Sequence, residues 1–232
     1  MKKLLVLIII MVWGFIVPQS SFAVIIMADI ANSTAGLGNF EGTLTYSAGS
    51  ATNATLVISL KNTSSSGGYL TAFVLNNPFN SISGIPTWSF TNEDFNKLFV
   101  NAGIKGEPYG YFDIGASLGT NLHSNFADNG PPTKGIAAGV TETFTFNLAG
   151  SGLDGLTEQS FIDALSTGGS SYYGPQFFVA RFRGIPVGEG SDKVPAKTNG
   201  EPVPEPATML LLGPALMGLA ATRKKIVSRD DR

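Results

Sequence analysis

Thr141-Glu142-Thr143-Phe144-Thr145-Phe146-Asn147-Leu148 alternates polar and apolar residues from Thr143 to its end. Successive side chains of an extended chain point to opposite faces. The run therefore sets Phe144, Phe146 and Leu148 on one side and Thr143, Thr145 and Asn147 on the other. A helix would scatter those apolar side chains around its circumference. The run reads as a strand with one dry and one wet face, the pattern of an antiparallel sheet. Residues 55–60 repeat it, with Leu56, Ile58 and Leu60 alternating with Thr55, Val57 and Ser59. Further strand candidates occupy 39–47, 69–76, 85–90, 109–117 and 176–183. Clusters of Gly, Asn, Ser and Pro at 64–68, 76–78 and 128–132 separate them.

About seven or eight short strands with such turns predict a mainly β fold: an antiparallel β-sandwich, a jelly roll among the options. Two short helices are expected within it. Thr91 and Asp94 have the spacing of a capping box, followed by Phe95, Leu98 and Phe99 and ended by Gly103. Residues 158–165 form the second, with Phe161, Ile162 and Leu165 facing inward.

Composition narrows the chemistry. Cysteine is absent among the 232 residues, which excludes disulfides, thiol nucleophiles and Cys-ligated metal sites. Charged residues make up only 14%, yet 43% of the chain is hydrophobic and 16 residues are Phe, so a packed core is available. Residues 24–200 carry 8 Lys or Arg against 13 Asp or Glu. An acidic body of that kind lacks the basic face that nucleic acid requires.

The basic residues gather at the ends. Lys2 and Lys3 precede an apolar run over 4–17, Pro18 breaks it, and Ser21-Phe22-Ala23 supplies small residues for cleavage after Ala23. That order predicts a secretory signal peptide, read by the Sec translocon and signal peptidase. At the other end, Val203-Pro204-Glu205-Pro206 leads into an apolar stretch over 207–222 and the basic cluster Arg223, Lys224 and Lys225. The stretch reads as a single transmembrane helix, and the cluster after it belongs on the cytoplasmic side. The expected division is a signal peptide (1–23), an ectodomain (24–187), a Gly/Pro-rich linker (188–202), a C-terminal segment with the membrane helix (203–225) and a cytoplasmic tail (226–232).

The Pro-Glu-Pro motif, short apolar helix and basic end together resemble the PEP-CTERM sorting signal. The resemblance implies recognition at Val203-Pro204-Glu205-Pro206 by exosortase, a membrane-embedded cysteine protease-transpeptidase of Gram-negative bacteria. Two departures are the lysines within the basic cluster and the extension 226–232. The body also resembles ectodomains of PEP-CTERM proteins through Leu60-Lys61-Asn62-Thr63, Leu70-Thr71-Ala72-Phe73-Val74, Phe112-Asp113-Ile114-Gly115, Phe178-Val179-Ala180-Arg181-Phe182 and Gly190-Ser191-Asp192-Lys193-Val194-Pro195. No activity accompanies that likeness.

Several motifs carry possible chemistry. Gly115-Ala116-Ser117-Leu118-Gly119 matches the nucleophile elbow, but the chain's one His, His123, comes after only six residues instead of far downstream. Gly150-Ser151-Gly152-Leu153-Asp154-Gly155 matches the dinucleotide fingerprint, but its preceding strand alternates instead of being apolar on both faces. Asp113, Asp128 and Asp192 are weak calcium candidates, since calcium needs only oxygen ligands. Trp88, Tyr109, Tyr111, Tyr172 and Tyr173 could form a sugar platform. Thr141, Thr143 and Thr145 make one row of a hydroxyl face with no sequence repeat to extend it.

The favoured expectation is a non-enzymatic protein without cofactor. It would be exported, held transiently in the inner membrane, sorted by exosortase, and left at the cell surface or in the extracellular matrix beside exopolysaccharide. A carbohydrate-binding module, with or without structural calcium, is the alternative; a secreted hydrolase built on Ser117 and His123 is the third reading.

Overall fold

Alternation in the sequence becomes a sheet in the structure. The computed structural model describes residues 22–119, 130–186 and 190–204. Its strands are β1 (Phe22–Ala28), β2 (Phe40–Ala48), β3 (Asn53–Asn62), β4 (Tyr69–Leu75), β5 (Ile82–Phe90) and β6 (Lys97–Lys105). They continue as β7 (Tyr111–Ser117), β8 (Ile136–Ala137), β9 (Thr141–Gly150), β10 (Phe178–Arg183) and β11 (Ser191–Pro204), with one helix, α1 (Glu158–Asp163). The expected signal peptide as far as Ser21, the membrane helix 207–222 and the basic cluster lie outside the described residues.

The expected mainly β, antiparallel character holds, but two separate sheets do not. The strands join in one eleven-stranded sheet, ordered β5-β9-β3-β2-β1-β11-β10-β4-β7-β6, with β8 beside β4. Six steps separate β9 from β4 in that order, about 29 Å across a flat sheet at ~4.8 Å per strand. Yet the rings of Phe73 on β4 and Phe144 on β9 have centroids 4.8 Å apart. Phe40 on β2 likewise meets Phe178 on β10 at 5.8 Å. The sheet therefore folds over, and β1 and β11 carry it from one half to the other.

Between the halves lies the core. β3 buries every second residue, Leu56, Ile58 and Leu60 among them, as its alternation requires. β9 does the same with Phe144, Phe146 and Leu148. β4 differs: Leu70 through Leu75 are all buried. Phe73 and Leu75 face the main core, while Ala72 and Val74 join a smaller cluster with Ile104, Tyr109, Phe112 and Val179. A run of six apolar or hydroxyl residues without alternation suits a strand covered on both faces.

Two expectations need correction. Residues 91–103 form no helix, because Thr91 is held by the neighbouring strand. Its amide donates to the Thr143 carbonyl at 3.0 Å, and its Oγ1 accepts from the Thr143 amide at 2.8 Å. The Asp94 amide instead closes onto Asn92 Oδ1 at 3.0 Å, a local turn that competes with helix formation. Residues 97–105 then become β6. The other correction is the linker. Residues 191–204 form β11, and its first part pairs with β10 from Arg183↔Ser191 to Val179↔Pro195.

The predicted second helix is present but stops at Asp163, where Ala164 turns extended. Phe161 is buried against Tyr46, with ring centroids 5.4 Å apart, whereas Leu165 is left exposed. Glu158 ties the helix to β2 by accepting the Tyr46 amide at 3.0 Å.

Candidate functional site

The turn after β4 begins with Asn76 and Asn77, both buried. Asn77 holds this turn together. Its Oδ1 accepts from the Ile82 amide at 2.9 Å, and its Nδ2 donates to the Ile82 carbonyl and to Asn101 Oδ1, both at 2.8 Å. Asn101, on β6, donates in turn to the Ile82 carbonyl at 2.9 Å. The Asn77 amide donates to Asp113 Oδ2 at 3.1 Å, linking the turn to β7. Asn76 reaches the other way, donating to the Ala164 carbonyl at 3.0 Å just beyond α1.

Between these anchors lies a cavity of about 300 Å³, walled by residues 76–80, by Asp113, and by Ser160, Asp163–Leu165 and Thr167. Phe79 stands at its rim with 82% of its surface exposed. Its backbone is left-handed, at φ 52 and ψ 19. The only other non-glycine residues with positive φ among those described are Asn80 and Asn101, which belong to the same small region. Left-handed backbone is tolerable for Asn but costly for a bulky aromatic. Such strain persists only where surrounding contacts over-determine it, and it gathers at binding sites. The cluster 76–78 reads as a turn; a phenylalanine immediately after it, with no strand to bury it, is the available signal.

The aromatic platform expected from the sequence does not assemble as such. Tyr109 is fully buried, its hydroxyl 2.6 Å from the Asn32 carbonyl and 2.9 Å from that of Lys193. Burial, followed by the charge of Asp192, pushes its pKa far above the usual tyrosine value. Tyr173 packs edge-on between Tyr109 and Tyr172, at 5.3 and 4.9 Å, and Tyr172 is left 84% exposed. Trp88 and Tyr111 are each about half exposed, on β5 and β7.

Of the calcium candidates, Asp128 lies outside the described residues. Asp113 lines the cavity. Asp192 is buried and faces donors only: Thr34 Oγ1 at 2.9 Å and the Ala35 amide at 2.8 Å on Oδ1, the Leu37 and Gly38 amides at 2.8 Å each on Oδ2. Those hydrogens point at the positions a cation would occupy, so Asp192 is built as an acceptor that pins the β1–β2 connection to β11. Among the described residues no three His, Cys, Asp or Glu converge as metal ligands.

The two catalytic-looking motifs have structural explanations. Ser117 closes β7, is buried, and places its hydroxyl 3.4 Å from the Leu118 carbonyl; His123 lies outside the described residues. Gly150 ends β9, an antiparallel strand between β3 and β5. A Cβ there would lie 2.0 Å from the Ser81 carbonyl oxygen, and Gly152 adopts φ 67, so close approach and turn geometry account for both glycines.

Thr143 and Thr145 project from β9 away from Phe144 and Phe146. The hydroxyl row is extended by other strands instead of by a repeat. Register sets Thr143 beside Ser59, and Ser59 beside Thr43; Thr145 lies beside Ser89 and Val57.

Ala23 sits near the start of β1, opposite Thr45, so the expected signal cleavage would leave β1 starting at Val24. Val203 and Pro204 are the last residues of β11; Glu205, Pro206, Arg223, Lys224 and Lys225 lie outside the described residues. Residues 202–225 match the family model of the PEP-CTERM protein-sorting motif. The match marks the chain as an exosortase substrate and so as an exported, membrane- or surface-sorted protein. No curated protein and no solved structure matches the chain.

Proposed function

We propose that the chain is a non-enzymatic surface or matrix protein of a Gram-negative bacterium. It passes the inner membrane through the Sec translocon, loses residues 1–23 to signal peptidase, and is held by the helix 207–222 until exosortase acts. Cleavage near Pro204–Pro206 then leaves the β domain at the cell surface or in the extracellular polysaccharide. The match at 202–225 carries this reading. The basic cluster Arg223-Lys224-Lys225 supports the topology, because cationic residues flanking a span stay cytoplasmic. A non-enzymatic role is favoured by the burial of Ser117 and by the donor-filled surroundings of Asp192.

Intact mass of the mature protein, from cells with and without a functional exosortase, tests the proposal. Loss of residues 1–23 together with an exosortase-dependent cut near Pro204–Pro206 is expected. Persistence of residues 207–225 in both strains would refute the sorting step and leave a membrane-tethered domain.

A further inference from the structure

We propose that the cavity beside Phe79 is a binding site for a neutral saccharide, with the Phe79 ring stacking on a sugar face. The proposal goes beyond the sorting reading and does not depend on it.

Three observations carry it. The first is the display of Phe79. A phenylalanine free to choose would bury its ring and avoid left-handed backbone. This one does neither, while Asn77 and Asn101 fix the turn on both sides through bonds of 2.8–2.9 Å. The backbone that carries the ring is thus fixed at the edge of a concavity, so little backbone freedom is left to lose on binding.

The second is the chemistry of the walls. Amide, hydroxyl and carboxylate groups line the cavity beside Phe79 and Leu165, and among the described residues none that lines it is basic. Phosphate, sulfate or nucleotide ligands would meet Asp113 and Asp163 with no compensating cation, so anionic ligands are disfavoured. Hydroxyl-rich neutral ligands fit, because carboxylates accept short charge-assisted bonds from hydroxyls. Among the described residues Asp113 gives Oδ2 alone to the Asn77 amide, and Asp163 Oδ1 alone to Gln159 at 2.8 Å, so each has a second oxygen for a ligand.

The third is size. A volume of about 300 Å³ lies at the lower end of ligand pockets, room for one or two sugar rings rather than a large cofactor. A purely apolar ligand would leave the second carboxylate oxygens of Asp113 and Asp163 desolvated without partners.

The test uses the full chain in a non-glycosidic detergent, applied to immobilised neutral and acidic oligosaccharides with and without EDTA. Binding to neutral members is expected, unchanged by EDTA. Phe79→Gly should weaken it about tenfold or more, in line with the loss of an aromatic stack. The glycine suits a φ of 52, so this variant should melt no lower than the parent. Phe79→Trp should retain binding, and Trp88→Ala, outside the cavity, should leave it unchanged. Absence of binding to any oligosaccharide would overturn the proposal. So would loss of binding in Trp88→Ala with retention in Phe79→Gly, or preference for the acidic members. Loss in EDTA would overturn direct recognition by the carboxylates in favour of a bound cation.

Discussion

Replacing Asp192 by alanine should be among the most damaging single changes available to this fold. The carboxylate is buried on β11 and accepts from the amides of Ala35, Leu37 and Gly38 and from the Thr34 hydroxyl, at 2.8–2.9 Å. Truncation removes the acceptor for all four donors at once. A single unsatisfied buried donor costs about 1–3 kcal/mol, but water entering the vacated space recovers part of the sum. The expected loss is therefore about 3–5 kcal/mol, well below the full additive figure. For a chain of this size that corresponds to a fall in melting temperature on the order of 10 °C. Asp192→Asn keeps one acceptor oxygen but turns an NH2 group towards two of the four donors, at least one of them a backbone amide, and should cost about 2 kcal/mol or more. Thermal unfolding followed by far-UV circular dichroism gives the size of the effect. Hydrogen exchange at the Ala35, Leu37 and Gly38 amides gives its location. If Asp192→Ala melts within a degree or two of the parent, with those amides still protected, the carboxylate is not what holds the 33–38 segment.

Packing sets two further outcomes. Tyr46 donates its hydroxyl to the Leu153 carbonyl at 2.6 Å, and burial, then the charges of Asp154 and Glu158, raise its pKa from 10.0 to about 12. A raised pKa in the folded state gives stability that is complete below the unfolded value and lost as pH rises through the folded one. The urea midpoint should therefore fall between about pH 10 and 12, and less steeply in Tyr46→Phe, which gives up about 1 kcal/mol at neutral pH; equal slopes would assign the loss to other groups, Tyr109 first. Truncation checks the role of β11: a chain ending at Gly190 should fail to give a cooperative melt, and one ending at Val203 should melt like the parent. Equal melts would return 191–203 to the status of a linker.

The strands with clean alternation were legible because burial on one face leaves a period of two in the sequence, as at Phe144 and Phe146. Residues 97–105 were misread for a local reason: Thr91, Asp94, Phe95 and Leu98 have helical spacing, and what overrides it is Thr143, distant in sequence and hydrogen-bonded to Thr91 in both directions. β11 was hidden differently. Gly190, Pro195, Gly200 and Pro202 are the residues of a linker, and no hydrophobic period betrays a strand. Its place is fixed by a buried aspartate whose four donors lie more than 150 positions away. The candidate site was partly visible. The turn 76–78 was marked, but the exposure of Phe79 depends on Asn77, Asn101 and Ile82 meeting, which composition cannot announce. Of the aromatic residues expected to form a platform, Tyr109 is core, whereas Trp88, Tyr111 and Tyr172 are exposed but do not converge on one site.

The position of β11 changes what a C-terminal sorting signal means for this chain. A flexible spacer before Pro204 would let a protease cut anywhere along it without consequence for the domain. Here the strand reaches Pro204, pairs with β10 at its start, and neighbours β1 in the sheet. The Asp29 amide bonds the Pro195 carbonyl at 2.8 Å and the Thr34 amide bonds that of Lys193 at 3.0 Å, so position falls on one partner as it rises on the other. That is the antiparallel sense, and it carries β1 backwards and β11 forwards towards the same end of the sheet. The expected processing point after Ala23 and the strand that leads to the other, ending at Pro204, thus lie side by side in the sheet, and those strands join the halves of the core. Cuts confined to these points spare the pairing of 25–27 with 41–43 and of 179–183 with 191–195. A cut a few residues further into either strand would open the seam on which the fold depends.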